Sequence, residues 1–121
     1  MPASLGLNHI NLNVSDITRA EKFYLQAFGL EVRFREGAGM VFVGSPGADD
    51  LITLCQAEAG QPVGDGGVSH FGFRIARSEF DAMVDQVVRA VGKFLRRGEH
   101  EGGELYAYFN DPDGYTIELG S

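Results

Sequence analysis

The chain of 121 residues is predicted to be α+β, folded as two tandem βαβββ modules. Three observations carry that prediction. The segment His9-Ile10-Asn11-Leu12-Asn13-Val14, followed by a helical pattern, recurs as His70-Phe71-Gly72-Phe73-Arg74-Ile75 followed by another. Ile52-Thr53-Leu54 closes the first half and Ile117-Glu118-Leu119 the second, at nearly the same distance from the respective histidine. Between the halves lies a stretch rich in glycine, with no apolar period. One domain over residues 1–121 is expected, with modules at approximately 5–57 and 67–120 and a linker at 58–66. A half of about 60 residues buries too little surface to fold comfortably alone, so each module leans on the other or on a second subunit.

The first strand is expected over Leu7 to Val14, with Ile10, Leu12 and Val14 on one face and His9, Asn11 and Asn13 on the other. Asp16 stands where a helix N-cap is wanted. Ile17, Ala20, Phe23, Tyr24, Ala27 and Phe28 then recur at helical spacing up to Gly29. Three short strands follow, at Glu31 to Arg35, Met40 to Gly44 and Leu51 to Gln56.

The second half repeats the plan: a strand from Gly67 to Ile75, then a helix from Ser78 to Gly92, with Ser78 and Asp81 resembling a capping box. Lys93 to Gly103 is weakly patterned and holds the sixth strand without clear limits. Asp111-Pro112-Asp113-Gly114 reads as a tight turn joining strands at Glu104 to Asn110 and Tyr115 to Leu119. Alternation sets Tyr106 and Tyr108 on one face of that hairpin. It also turns Glu118 away from the core-seeking Tyr115, Ile117 and Leu119.

Seventeen acidic residues against ten basic ones give a formal charge of −7. No Lys/Arg cluster is long enough to follow a phosphate backbone, so nucleic acid is not an expected partner. Neither a signal-peptide pattern nor a run of membrane-spanning length occurs, so the expectation is a cytoplasmic protein without a membrane role. Cys55 is the single cysteine, which rules out an intrachain disulfide and disfavours a closed, thiolate-rich zinc site.

A rough two-fold relation between the halves brings His9, His70, Glu118 and Thr53 toward one axis. Two imidazoles and one carboxylate make a set that leaves coordination positions open to water or substrate. Each histidine taken alone reads first as a hydrogen-bonded core residue; it is the matched placement that points to metal. Fe, Mn, Ni and Zn all accept such donors, so the expected cofactor is one divalent transition metal of unspecified identity. Thr53 is expected to line the cavity as a substrate contact. Cys55 reads as a small buried hydrophobe and His100 as an exposed loop residue. Tyr108 is placed to orient or protonate a substrate oxygen, and Arg74, on the strand face of His70, to hold an anionic group. The alternatives for these two are a strand aromatic and a salt bridge.

Leu7-Asn8-His9-Ile10, Phe23-Tyr24 with Phe28-Gly29-Leu30, His70-Phe71-Gly72-Phe73 and the run from Tyr108 to Glu118 resemble the vicinal oxygen chelate superfamily of glyoxalases, bleomycin-resistance proteins and dioxygenases. The resemblance implies cupped mixed sheets around a divalent metal held by His9, His70 and Glu118. It also implies a homodimer whose subunits share each site. Glyoxalase I enzymes carry a fourth ligand where Thr53 stands, and the fosfomycin-resistance transferases carry a hydroxyl residue where Asn11 stands.

The implied function is bidentate metal chelation of a small oxygen-bearing substrate, with lyase or thiol-transfer chemistry. Tyr108 is then the catalytic residue, and Asn11, Thr53, Arg74 and Tyr106 are substrate contacts. Extradiol-type ring cleavage is one alternative. Another is metal-free sequestration of a drug-like molecule by Phe42, Tyr106 and Tyr108.

Overall fold

Strand β1 (Ile10–Val14) buries Leu12 and Val14 against helix α1 (Ile17–Phe28) and turns Asn11 and Asn13 the other way. In the computed structural model, which describes residues 1–121, the first module continues with β2 (Glu31–Arg35), β3 (Met40–Gly44) and β4 (Ile52–Gln56). The second comprises β5 (Phe71–Arg74), a 3-10 turn (Arg77–Glu79), α2 (Phe80–Arg89), β6 (Lys93–Glu99), β7 (Leu105–Asn110) and β8 (Thr116–Gly120). Each module forms a four-stranded mixed sheet, ordered β1-β4-β3-β2 and β5-β8-β7-β6. In both, the first strand runs parallel to the last and the rest are antiparallel. The duplication read in the sequence is thus a duplication of topology.

Helix α1 has the expected limits. Asp16 Oδ1 accepts the backbone N–H of Arg19 at 3.1 Å, and Gly29 ends the helix in the left-handed region at φ 67°. Its apolar stripe of Ala20, Phe23, Tyr24, Ala27 and Phe28 is buried.

Three expectations are corrected. The first strand begins at Ile10, not Leu7, because β4 offers its first register partner, Ile52, only there; His9 therefore precedes the strand. By the same logic β5 shrinks from Gly67–Ile75 to Phe71–Arg74, opposite Ile117 to Gly120 of β8. The capping box does not form. Ser78 falls inside the 3-10 turn, whose Glu79 N–H bonds the Ala76 carbonyl at 2.9 Å, and no side chain caps α2.

One continuous apolar core contains residues of both modules. Phe28 of α1 lies on Phe73 of β5 with ring centroids 4.7 Å apart, and Gln86 of α2 donates to the Ala27 carbonyl at 3.2 Å. The turn between β7 and β8 is the second tie. Asp111 Oδ1 accepts the N–H groups of Asp113 and Tyr115, both at 2.9 Å, and Gly114 adopts φ 91°, which an L side chain tolerates poorly. From this turn Asp113 reaches Ser15 and Arg19 of the first module. Between the modules, Asp65 accepts the Thr116 hydroxyl at 2.6 Å and its N–H at 2.9 Å, tying the connection to the start of β8.

Candidate metal centre

Register and alternation place the chemistry. On the second sheet, Gly72, Glu118, Tyr108 and Arg96 form one row across β5, β8, β7 and β6. They occupy the face opposite the buried Phe109, Ile117 and Leu119. His70, two residues before Gly72, brings its Nε2 to 3.4 Å from Glu118 Oε1. Neither is sealed off: the side chains are 38% and 24% exposed. Gly72 permits this approach, since a Cβ there would lie 2.7 Å from the Glu118 carbonyl oxygen and 3.2 Å from its Cβ.

The two histidines are oriented alike. Asn8 Oδ1 accepts from His9 Nδ1 at 2.8 Å, and Ser69 Oγ lies 2.8 Å from His70 Nδ1. A neighbour that engages Nδ1 leaves Nε2 available, the arrangement by which outer partners orient imidazoles that bind metal. The residue before each histidine does this in both halves, a correspondence that single-letter comparison hides because Asn and Ser differ.

Tyr108 sets its ring edge-on to His70, centroids 5.2 Å apart. Desolvation and the facing Glu118 carboxylate raise its hydroxyl pKa above the ordinary value, while the Arg96 guanidinium pulls it down. Tyr106 continues the aromatic row 5.8 Å from Tyr108. Its ring lies across Gly98, where any side chain would collide with the hydroxyl. His100 is exposed in the turn after β6, as expected, yet its ring leans on Tyr106 at 4.7 Å. Arg74 lines a hollow of about 230 Å³ together with Glu118 and Gly120.

The first sheet presents a separate face. Asn11, Thr53 and Phe42 stand in register on β1, β4 and β3, and Phe42 stacks on Phe34 at 4.1 Å. Thr53 is buried, with no hydrogen-bond partner for its hydroxyl. Cys55 is corrected from buried hydrophobe to a half-buried thiol that donates to Asn11 Oδ1 at 2.9 Å. His9 sits at this sheet's margin, 6.4 Å from the Phe42 ring.

Within one chain, then, His70 and Glu118 meet, while no three His, Cys, Asp or Glu side chains surround a common point. The sequence reads Arg96-Arg97 as a solvated turn, but both lie within β6, and Gly72 was read only as part of the repeated strand. Arg96 was legible in principle, since counting across the hairpin from Tyr108 reaches it, but the weak pattern of Lys93 to Gly103 hid the strand. Gly72 gave no signal, because a close approach between strands has no sequence signature.

A family model described as the Glyoxalase/Bleomycin resistance protein/Dioxygenase superfamily matches residues 6–119. Among curated relatives, the glutathione transferase FosA of Serratia marcescens is 29% identical over 117 residues, covering 94% of this chain and 79% of that protein. The metallothiol transferase FosB of Lysinibacillus sphaericus is 30% identical over 117 residues, covering 94% and 80%. Among solved structures, a mutant of the fosfomycin resistance protein FosX from Listeria monocytogenes, complexed with Mn(II) and 1S,2S-dihydroxypropylphosphonic acid, aligns with TM-score 0.79. It is 23% identical, over 97% of this chain and 90% of that one, so the likeness is one of fold.

Proposed function

The chain belongs to the glyoxalase/bleomycin resistance/dioxygenase superfamily, and from that premise we propose that it is a divalent-metal-dependent enzyme acting on a small oxygen-bearing substrate by lyase or thiol-transfer chemistry. The observation that carries this reading is the 3.4 Å approach of His70 Nε2 to Glu118 Oε1 on an accessible sheet face. An imidazole and a carboxyl group so placed suit a borderline cation and leave room for substrate. The activities of FosA and FosB, both transferases, support thiol transfer.

The third donor is His9 of the partner subunit in a homodimer. The exposure of His9, the engagement of its Nδ1 by Asn8, and the lack of a third donor beside His70 and Glu118 in the same chain support that assignment. The residues fit the ion: both imidazoles are held through Nδ1, and the Thr53 hydroxyl has no partner. A bound divalent ion would act as a Lewis acid on the two chelated substrate oxygens.

The chain's own groups do the rest. Tyr108, whose hydroxyl pKa is raised by desolvation and the Glu118 carboxylate, donates a hydrogen bond to a substrate oxygen. Asn11 and Thr53, on the sheet whose margin carries His9, would come with it from the partner subunit and orient the substrate. The aromatic row of Tyr106 and Tyr108 excludes water from one side.

Metal analysis by plasma emission after reconstitution tests the reading, together with sedimentation to establish the dimer. About one ion per subunit in wild type, lost in His70→Ala and in His9→Ala, is expected. Metal content equal to that of both variants would refute it. The stacked Phe34 and Phe42, on an exposed face, favour as second reading a protein that sequesters an aromatic molecule without metal. It predicts ligand binding that is indifferent to chelators.

A further inference from the structure

In this acidic chain arginines ordinarily find carboxylates. Arg19 meets Asp113, Arg33 meets Glu31 and Asp50, Arg35 meets Glu21, Arg77 meets Glu99, and Arg97 meets Asp81. Arg96 meets none, although the residue beside it does. Strand alternation sends Arg97 to the helix side, against Asp81 and the Phe80 ring, and Arg96 to the face of Glu118 and Tyr108.

There its guanidinium carbon lies 4.3 Å from the Tyr108 ring centroid. Stacking occupies the flat face of a guanidinium and leaves its N–H groups, which radiate in the plane, free to donate. The ring also removes much of the side chain's freedom, so a later ligand loses less entropy on binding.

We propose that Arg96 is a specificity-determining residue that binds an oxyanion carried by the substrate, a carboxylate or a phosphate-like group distinct from the two oxygens chelated at the metal centre. The inference rests on the metal-centre reading given above, and it names the class of substrate. Tyr108 stands between the guanidinium and the His70 imidazole, with centroid distances of 4.3 Å and 5.2 Å. The charged group therefore lies on the far side of Tyr108 from His70, several bonds from the chelating oxygens. A neutral chelator, or one with no group beyond its chelating atoms, leaves the fork unused.

The Glu118 carboxylate on the same row weakens anion binding at Arg96 without abolishing it, and a bound cation would strengthen that binding. Arg74, also without a carboxylate and lining a hollow with Glu118, lies on the opposite side of that row. Arg89, the remaining unpaired arginine, occupies the last turn of α2, where a helix C-terminus favours a cation. It serves as the control.

Isothermal titration of the Mn-loaded protein with three probes is the test. Lactate chelates and carries nothing further, malate adds a carboxylate, and 3-phosphoglycerate adds a phosphate. At least one of the two extended probes should bind about tenfold tighter than lactate, a difference of about 1.4 kcal/mol. Whichever does identifies the oxyanion. Arg96→Gln should abolish the gain with metal content unchanged, Arg96→Lys should restore part of it, and Arg89→Gln should leave it intact. Equal affinities for all three probes, or a gain that survives Arg96→Gln, would overturn the assignment and leave Arg96 a stacking partner only.

Should the wild type take up no metal, the metal-centre reading fails separately. Inorganic phosphate is then titrated into the metal-free protein and read by tyrosine emission, the chain having no tryptophan. A response lost in Arg96→Gln keeps the oxyanion site, and a response equal in both proteins removes it.

Discussion

The Tyr24 hydroxyl donates to Asp111 Oδ2 at 2.6 Å, joining a buried residue of the first module's helix to the turn that closes the second module's hairpin. The same carboxylate holds the turn together through its other oxygen. Tyr24→Phe leaves one carboxylate oxygen buried without that donor and should cost about 1–3 kcal/mol. Urea denaturation measures it. The loss should appear as one cooperative transition at lower midpoint, because the core is common to both modules.

Burial raises the Asp111 carboxyl pKa, against the lowering effect of Tyr24 and of the Tyr115 and Asp113 N–H groups. A group with a raised folded-state value contributes its full stability below its unfolded value, about 3.9, and loses it as pH climbs through the folded one. Asp111→Asn removes that titration. Its stability deficit relative to wild type should therefore be largest in acid and shrink as pH rises toward neutrality, measured by denaturant midpoints across that range.

Glu21 behaves oppositely. Its hydrogen bond and charge pairing with Arg35 lower its pKa despite some desolvation. The stabilisation is present above the unfolded value, near 4.3, and disappears as pH falls through the folded one. With Arg35 more than half exposed, Glu21→Gln should cost about 0.2–1 kcal/mol at neutral pH. The difference should vanish in acid.

Gly72 holds β5 against the Glu118 backbone. Gly72→Ala inserts a methyl 2.7 Å from a carbonyl oxygen that cannot move without disturbing the strand. Metal affinity should fall about tenfold or more, as it does when the supports of a ligand are disturbed. Competition with a chelating dye measures this, and circular dichroism should show the sheet retained.

Addition of Mn(II) or Zn(II) in excess should raise the thermal midpoint of wild type, since a ligand bound only by the folded state stabilises it by mass action. His70→Ala should remove that shift and keep its unliganded midpoint near the wild-type one, because His70 is not part of the apolar core.

Much of this molecule was legible before its coordinates. Helix α1 was readable to the residue because Asp16 and Gly29 carry its start and stop in their side-chain chemistry and backbone freedom. The placement of Tyr106, Tyr108 and Glu118 on one face followed from the two-residue period of strands joined by a recognisable turn. Strand limits at Leu7 and Gly67 were overextended, since a strand ends where its neighbour stops offering hydrogen bonds, and that neighbour is distant in sequence. The Ser78 cap failed because the chain enters α2 through a tighter turn than the local letters require. The imidazole supports at Asn8 and Ser69 escaped notice for another reason: different side chains perform one task.

The corner at Asp111 to Gly114 has a practical consequence for anyone wishing to redesign the cup. It fastens the sheet of Tyr108 and Glu118 to the helix behind Asn11, so any swap there disturbs both sheets together. Diversity libraries belong instead at the exposed His100 and Glu101, short of Gly102 and Gly103, which leave no room or backbone freedom for a side chain.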